Sequence, residues 1–311
     1  MNGLIGLVIL FLVAVLAAAY WAYRYAFFSS GYNHEDQNPA DDPYYASYRD
    51  VIHTLYDGLQ KKPSQLLSVQ SRDGLTLWGR YYPGQKGAPL AICFHGYRSN
   101  PIRDFCGGAD LSFQMGYSVL LVDERAHGRS QGHTITFGIE ERWDVQTWVQ
   151  FALKEFGLDT QILLYGISMG ASTVLMAADL SLPENVKGLI ADCPYAVPME
   201  IICHVAKKMH LPRWMTEFLV PIGARLYGHF DIFGTDAVRA VQRTSIPILI
   251  LHGESDGFVP CAMSKEVQMA NPGKVERHTF PGAEHGISFL VDTPRYVAIV
   301  KAFMNKALNR E

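Results

Sequence analysis

Gly166-Ile167-Ser168-Met169-Gly170 is the stretch on which the reading of this chain turns. It is a G-x-S-x-G pentapeptide. Before it runs Gln161-Ile162-Leu163-Leu164-Tyr165, the short apolar signature of a buried strand. After it, residues 171–180 contain neither Gly nor Pro and read as a helix. A strand that turns at once into a helix leaves no room for side chains beside the turn, hence a glycine two residues to either side of the serine. Such a turn lifts the hydroxyl above the carboxyl edge of a sheet. It also aims the amide of Met169, at a helix N-terminus, toward any oxyanion formed there. A serine at a helix start also serves as an ordinary cap, so the pentapeptide acquires meaning only from its partners.

A serine hydroxyl is a poor nucleophile without a base, and the base needs an acid to hold its tautomer. In this kind of turn the partners follow in the order Ser, acid, His. The acid candidate is Asp256, in a polar turn after the apolar run Ile248-Leu249-Ile250-Leu251. The base candidate is His285, in Pro281-Gly282-Ala283-Glu284-His285-Gly286, directly after the strand-like residues 274–280. Each of the three sits just beyond a different strand, on one edge. Asp192, at the end of Leu189-Ile190-Ala191, is the rival acid. The Gly-x-x-Asp-x-x-Val-Pro setting favours Asp256.

With these residues in view, the chain from about residue 66 to its end resembles the α/β-hydrolase superfamily. Leu90-Ala91-Ile92-Cys93-Phe94-His95-Gly96-Tyr97 is similar to the family strand ending in His-Gly, which implies an oxyanion role for the amide of Tyr97 beside that of Met169. Asp123-Glu124-Arg125-Ala126-His127-Gly128-Arg129-Ser130 resembles the family's D-x-R-x-x-G-x-S turn, so Asp123 and Arg125 are expected to be scaffold. With its Ser-Met-Gly turn and Asp192-Cys193-Pro194, the chain also looks like membrane-anchored bacterial hydrolases of unassigned substrate.

The wider pattern agrees. Residues 65–71 and 75–82 suggest a hairpin about Asp73-Gly74. Strands at 90–94, 118–122, 187–191, 246–251 and 275–280 alternate with helices near 105–115, 140–156 and 294–308. Such alternation implies an α/β fold, a mostly parallel sheet with helices on both faces. Residues 194–234 interrupt it with Met, Trp and Phe punctuated by proline, and read as a helical cap inserted at about 195–235. Its aromatic and Met side chains, Trp214 and Phe218 among them, are expected to line an apolar acyl pocket above Ser168.

The N-terminus carries a separate signal. Residues 3–23 hold no charge, and Tyr20, Trp21, Tyr23, Tyr25, Phe27 and Phe28 crowd the far end like an interfacial belt. Residues 1–28 are expected to be an uncleaved transmembrane anchor. Ala17-Ala18-Ala19 leaves a cleaved signal peptide as the competitor. Arg24 favours a cytoplasmic catalytic side, although Glu35, Asp36, Asp41 and Asp42 do not strengthen that bias. Residues 29–62 read as a polar, Tyr-rich tether and 63–311 as the hydrolase domain.

With 311 residues, 49% hydrophobic and a net charge of −3, the chain suits one large domain and excludes a polyanionic partner such as nucleic acid. Its 5 cysteines are scattered and none lies in C-x-x-C, and no H-E-x-x-H occurs, so neither a metal nor a cofactor is expected. The expectation is a serine hydrolase that cleaves a carboxylic ester or thioester through an acyl-enzyme on Ser168. A peptidase or amidase would need a carboxylate for the substrate amine, with Glu200 and Glu217 as candidates. A cofactor-free haloperoxidase or perhydrolase fits the same three residues. A non-catalytic binding scaffold should have lost one of them.

Overall fold

The computed structural model describes residues 2–31 and 38–309, so Glu35 and Asp36 of the expected tether lie outside the described residues. Eight strands form one sheet: β1 (Gln65–Gln70), β2 (Thr76–Tyr82), β3 (Leu90–Phe94), β4 (Ser118–Val122), β5 (Ile162–Ile167), β6 (Val186–Asp192), β7 (Ile248–Gly253) and β8 (Val275–Phe280). Their order is β1-β2-β4-β3-β5-β6-β7-β8. The β1–β2 hairpin and the β2–β4 pair are antiparallel, and every other pairing is parallel. The hairpin turns where the sequence placed it, with Gly74 at φ 86°.

β3, β4 and β7 are buried along their whole length, as strands covered on both faces must be. Alternate residues feed two cores. Ile92, Leu120, Leu164 and Ile250 pack toward α4 (Glu141–Phe156) and α5 (Met169–Met176). Ala91, Val119, Leu163 and Leu249 pack toward α3 (Pro101–Gln114) and, at the chain end, the long helix Thr293–Ala307.

Two stretches depart from the sequence reading. The expected tether contains two short 3-10 turns and a regular helix, α2 (Arg49–Gln60), with Ile52 and Leu59 buried. Its apolar residues, Ile52, Leu55, Tyr56 and Leu59, recur at helical spacing inside a polar composition, and α2 packs on α3. The second departure is how far the N-terminal helix α1 (Asn2–Ala26) engages the body. Residues 3–14 are exposed throughout, but Ala19, Tyr23 and Phe27 are buried.

α1 lies against the cap. The cap comprises α6 (Pro198–Lys208) and α7 (Arg213–Leu226), inserted between β6 and β7. The two helices come close at Gly223, where an added Cβ would stand 2.5 Å from the main-chain oxygen of Ala19. That contact requires glycine. Phe27 then wedges edge-on between Phe137 and Phe230, at 5.8 and 5.1 Å between ring centres. Main-chain bonds from Ser29 to His133 (2.8 Å) and from Ile135 to Phe27 (2.7 Å) stitch the helix end to the body.

Candidate active site

Ser168 stands between β5 and α5 at φ 55°, ψ −113°, a conformation that costs a non-glycine residue energy and persists only where its surroundings impose it. The surroundings do so through the two glycines. A Cβ on Gly166 would fall 2.2 Å from the oxygen of Gly170, and one on Gly170 would fall 1.9 Å from the oxygen of Phe94. The Ser168 amide donates to Asp192 O at 2.8 Å, which fixes the turn to β6.

The three residues read from sequence meet. Ser168 Oγ lies 2.9 Å from His285 Nε2, and His285 Nδ1 lies 2.7 Å from Asp256 Oδ2. The other Asp256 oxygen accepts the amides of Phe258 (2.8 Å) and Val259 (2.7 Å). His252 Nε2 stands 3.3 Å from Asp256 Oδ2. Burial pushes the Asp256 carboxyl up, but the His252 and His285 hydrogen bonds and the Val259 amide outweigh it. The group is held well below the usual carboxylate range and ionised. In this arrangement Nδ1 of His285 carries the proton and Nε2 is free to accept one from the serine.

Asp192 is elsewhere engaged. Its Oδ2 accepts from the Tyr296 hydroxyl at 2.7 Å, and Tyr296 is bonded in turn to Tyr165. Burial raises this carboxyl to about 6 despite the tyrosine. Cys193 Sγ comes within 4.8 Å of ligand atoms on Asp256 and His285, the geometry of a cation cluster. Yet those two groups are already bonded to each other, and burial pushes the Cys193 thiol well up, so the cluster offers no free thiolate.

The loop after β3 runs beside the serine. A Cβ on Gly96 would sit 3.4 Å from Ser168 Cβ, so the residue that precedes Tyr97 stands against the serine. Met169 opens α5, so its amide has no acceptor within the helix. Sequence reasoning missed what fixes this loop. Asp104 accepts the Gly96 amide at 2.7 Å and the Ser99 hydroxyl at 2.6 Å. His127 Nε2 accepts the Arg98 amide at 3.0 Å, and burial lowers His127 to about 3, so it stays neutral and able to accept. Asp123 and Arg125 are bonded within the scaffold: Asp123 accepts the Arg129 amide at 3.0 Å, and Arg125 is held by Asp144 (2.6 Å) and Asp73 (3.0 Å).

Two cavities meet at Ser168. One, about 380 Å³, has a mixed lining that includes Tyr44, Tyr45, Arg103, His285 and Phe289. Tyr44 also donates to His285 O at 2.8 Å, a contact from the supposed tether that gave no sequence signal. The other, about 660 Å³, is almost wholly apolar and lies between α1 and the cap; Ala18, Ala22, Ile202, Val205 and Met215 are among its walls. Trp214 and Phe218, expected in that lining, are 69% and 51% exposed and face away. On α7 the inward face is Met215, Leu219 and Val220, and residues 214 and 218 fall on the opposite side of the helix. Glu200 and Glu217 are tied to Arg213 on the outside of the cap, at 2.6 and 2.7 Å, and line neither cavity.

A strained serine between strand and helix, followed by acid and base at the ends of later strands, defines a class of fold, and comparison with known proteins agrees. Residues 89–220 match the family described as alpha/beta hydrolase fold. An uncharacterised protein of Bacillus subtilis strain 168, YqkD, is 22% identical over 81% of this chain and 83% of its own length. A bifunctional esterase/perhydrolase of Acinetobacter calcoaceticus is 24% identical over 70% of this chain and 92% of its own. Among solved structures, the Pyrococcus furiosus esterase Pf2001 superposes with a TM-score of 0.66 at 21% identity, covering 80% of this chain and 93% of that one. The chain has the α/β-hydrolase fold, and its residues 89–220 carry the match to that family.

Proposed function

We propose that this chain is a membrane-anchored serine hydrolase that cleaves carboxylic esters or thioesters. The observation that carries the reading is the continuous row of hydrogen bonds from Ser168 through His285 to Asp256. Ser168 Oγ attacks the acyl carbon while its proton passes to His285 Nε2. The amides of Tyr97 and Met169 hold the negative oxygen. As the bond to the leaving oxygen or sulfur breaks, His285 returns that proton to it. Water, deprotonated by the same imidazole, then splits the acyl-enzyme and releases the acid. Asp256 keeps the imidazole in the required tautomer throughout.

Ester over amide is supported by the larger, apolar cavity, whose walls among the described residues hold no carboxylate for an amine, Glu200 and Glu217 being paired outside it. The named esterase activity of the Acinetobacter relative points the same way. That relative's second named activity favours a second reading, transfer of the same acyl group to hydrogen peroxide. It would appear as peracid formed from an acetyl ester and peroxide.

Support for the anchor comes from α1. Its segment Gly3–Ala26 is long and apolar enough to cross a membrane, with only 6% of its most apolar window buried. Beyond the Ala17-Ala18-Ala19 sequence it continues unbroken into the body. Arg24 and the free thiols of all five cysteines favour the cytoplasmic side for the catalytic domain. Fluorophosphonate labelling of the full chain tests the chemistry: label on Ser168 is expected in the wild type and none in Ser168→Ala. Equal turnover of an acetyl ester by that variant would end the reading.

A further inference from the structure

The apolar cavity has an unusual wall. One side is cap, from Ile201 to Val220, and the other is the anchor helix itself, through Ala18, Trp21, Ala22, Tyr25 and Ala26. Where lining residues are also exposed, the cavity opens to the outside. Trp21 is 73% exposed, Met209 41% and Leu211 40%. An opening therefore lies between α1 and the α6–α7 turn.

The length of free helix sets where that mouth stands. Residues 3–14 are clear of the body, and they measure about 18 Å at 1.5 Å per residue. A hydrocarbon core is about 30 Å thick. If α1 crosses a bilayer, the exposed part is too short to do so alone, and the stretch packed on α7 must lie in the membrane as well. That brings the α6–α7 turn to the bilayer surface or below it. The side chains it presents there suit the position: Leu211, Trp214 and Phe218 are exposed and apolar, and Arg24 and Lys207 sit within three residues of the rim, able to reach the headgroups.

The geometry points to a membrane lipid as the substrate, one that leaves the bilayer sideways through the cleft between α1 and the cap and extends a long acyl chain along the cavity to Ser168. This rests on the serine-hydrolase and anchor readings above. The ester carbonyl stops at Ser168, where the two cavities meet, and the polar remainder of the lipid occupies the mixed cavity beside Tyr44, Tyr45 and Arg103. Cleavage forms the Ser168 acyl ester and releases the lipid alcohol with the proton from His285. Water then frees a fatty acid, which returns along the same apolar wall to the bilayer.

The test uses the full chain reconstituted in vesicles of an ether-linked phosphatidylcholine, which offers no ester. Dioleoylglycerol or dioleoylphosphatidylcholine is the guest, placed either in the enzyme's own vesicles or in separate ones. Release of oleate from guest in the same bilayer is expected, with little from separate vesicles, and the two guests identify the headgroup accepted. Equal release from both placements, or no release of oleate by enzyme that still cleaves an acetyl ester, overturns the lipid proposal alone. Failure to cleave the acetyl ester or to take the fluorophosphonate label sinks the serine-hydrolase reading beneath it. Ala22→Trp fills the cavity from α1 and Val205→Trp fills it from α6. Each is expected to cut oleate release at least about tenfold while acetyl-ester cleavage continues, since the loss is one of chain binding. Retained acetyl activity certifies the fold of each variant, and undiminished oleate release by both overturns the proposal.

Discussion

The Tyr97 hydroxyl donates to the main-chain oxygen of Ala26 at 2.9 Å. Its neighbour Arg98 takes the oxygens of Tyr25 and Phe28 at 2.8 and 3.1 Å. The last carbonyls of α1 have no partners within the helix, and these side chains supply them. One short loop thus runs beside Ser168 and holds the end of α1.

Tyr97→Phe keeps the amide and removes the clamp. The docking of the helix end is expected to weaken by about 1 kcal/mol, the net worth of one hydrogen bond. Hydrogen exchange at residues 27–29 should quicken, with acetyl-ester turnover little changed. A large loss of turnover with unchanged exchange would mean that the hydroxyl acts on the reaction directly.

Gly223→Val places a side chain against Ala19 O, where even a Cβ has only 2.5 Å. Overpacking of this sort costs about 1–3 kcal/mol, so thermal unfolding should come earlier. Trypsin should also find Arg24 more readily. Wild-type resistance at Arg24 would show that α1 does not depend on this contact.

For the acid, Asp256→Asn should lower kcat by about 10⁴, because an amide favours the wrong tautomer of His285. Asp192→Asn should cost far less. The reverse ranking would hand the role to Asp192.

Asp192 also carries a pH signature. In the folded chain it holds its proton to about pH 6, against 3.8 for an unshifted group. Between those values the native state keeps a proton that the unfolded chain has lost, so its contribution to stability falls as pH rises from about 4 to 6. Across that window the wild type should lose up to about 3 kcal/mol relative to Asp192→Asn. Urea unfolding of both proteins at each pH measures it, and a constant difference would count against the raised value.

Trp214→Ala and Phe218→Ala should leave the acyl-chain profile in detergent untouched. In the wild type kcat/KM is expected to climb about fourfold per added methylene until the cavity fills, from about 0.8 kcal/mol for each. A flattened climb in either variant would put those rings in the cavity after all.

The parts that could be read from sequence were those with local signals. β3, β4 and β5 are built on short apolar runs, and the spacing of Gly166 and Gly170 about Ser168 is a steric demand written in five residues. Asp256 and His285 were legible because each follows a strand run. α2 was readable in principle but was masked by its polar composition. The facing of the cap was not readable: Trp214 and Met215 are adjacent, and which one turns inward depends on α1, whose contact with Gly223 joins distant parts of the chain. The Tyr44 contact with His285 is hidden for the same reason.

Membrane tethers are customarily cut away to obtain an enzyme that behaves in water. With α1 as the tether proposed above, that surgery would take out masonry along with the mooring. A chain starting beyond Ala26 would keep Ser168, His285 and Asp256 in register, yet Ala18, Trp21, Ala22 and Tyr25 would be gone from the larger chamber, leaving a trough where a roofed passage had been. On the proposed reading such a trimmed protein would still hydrolyse small esters, and its substrate preferences would belong to the truncation rather than to the enzyme.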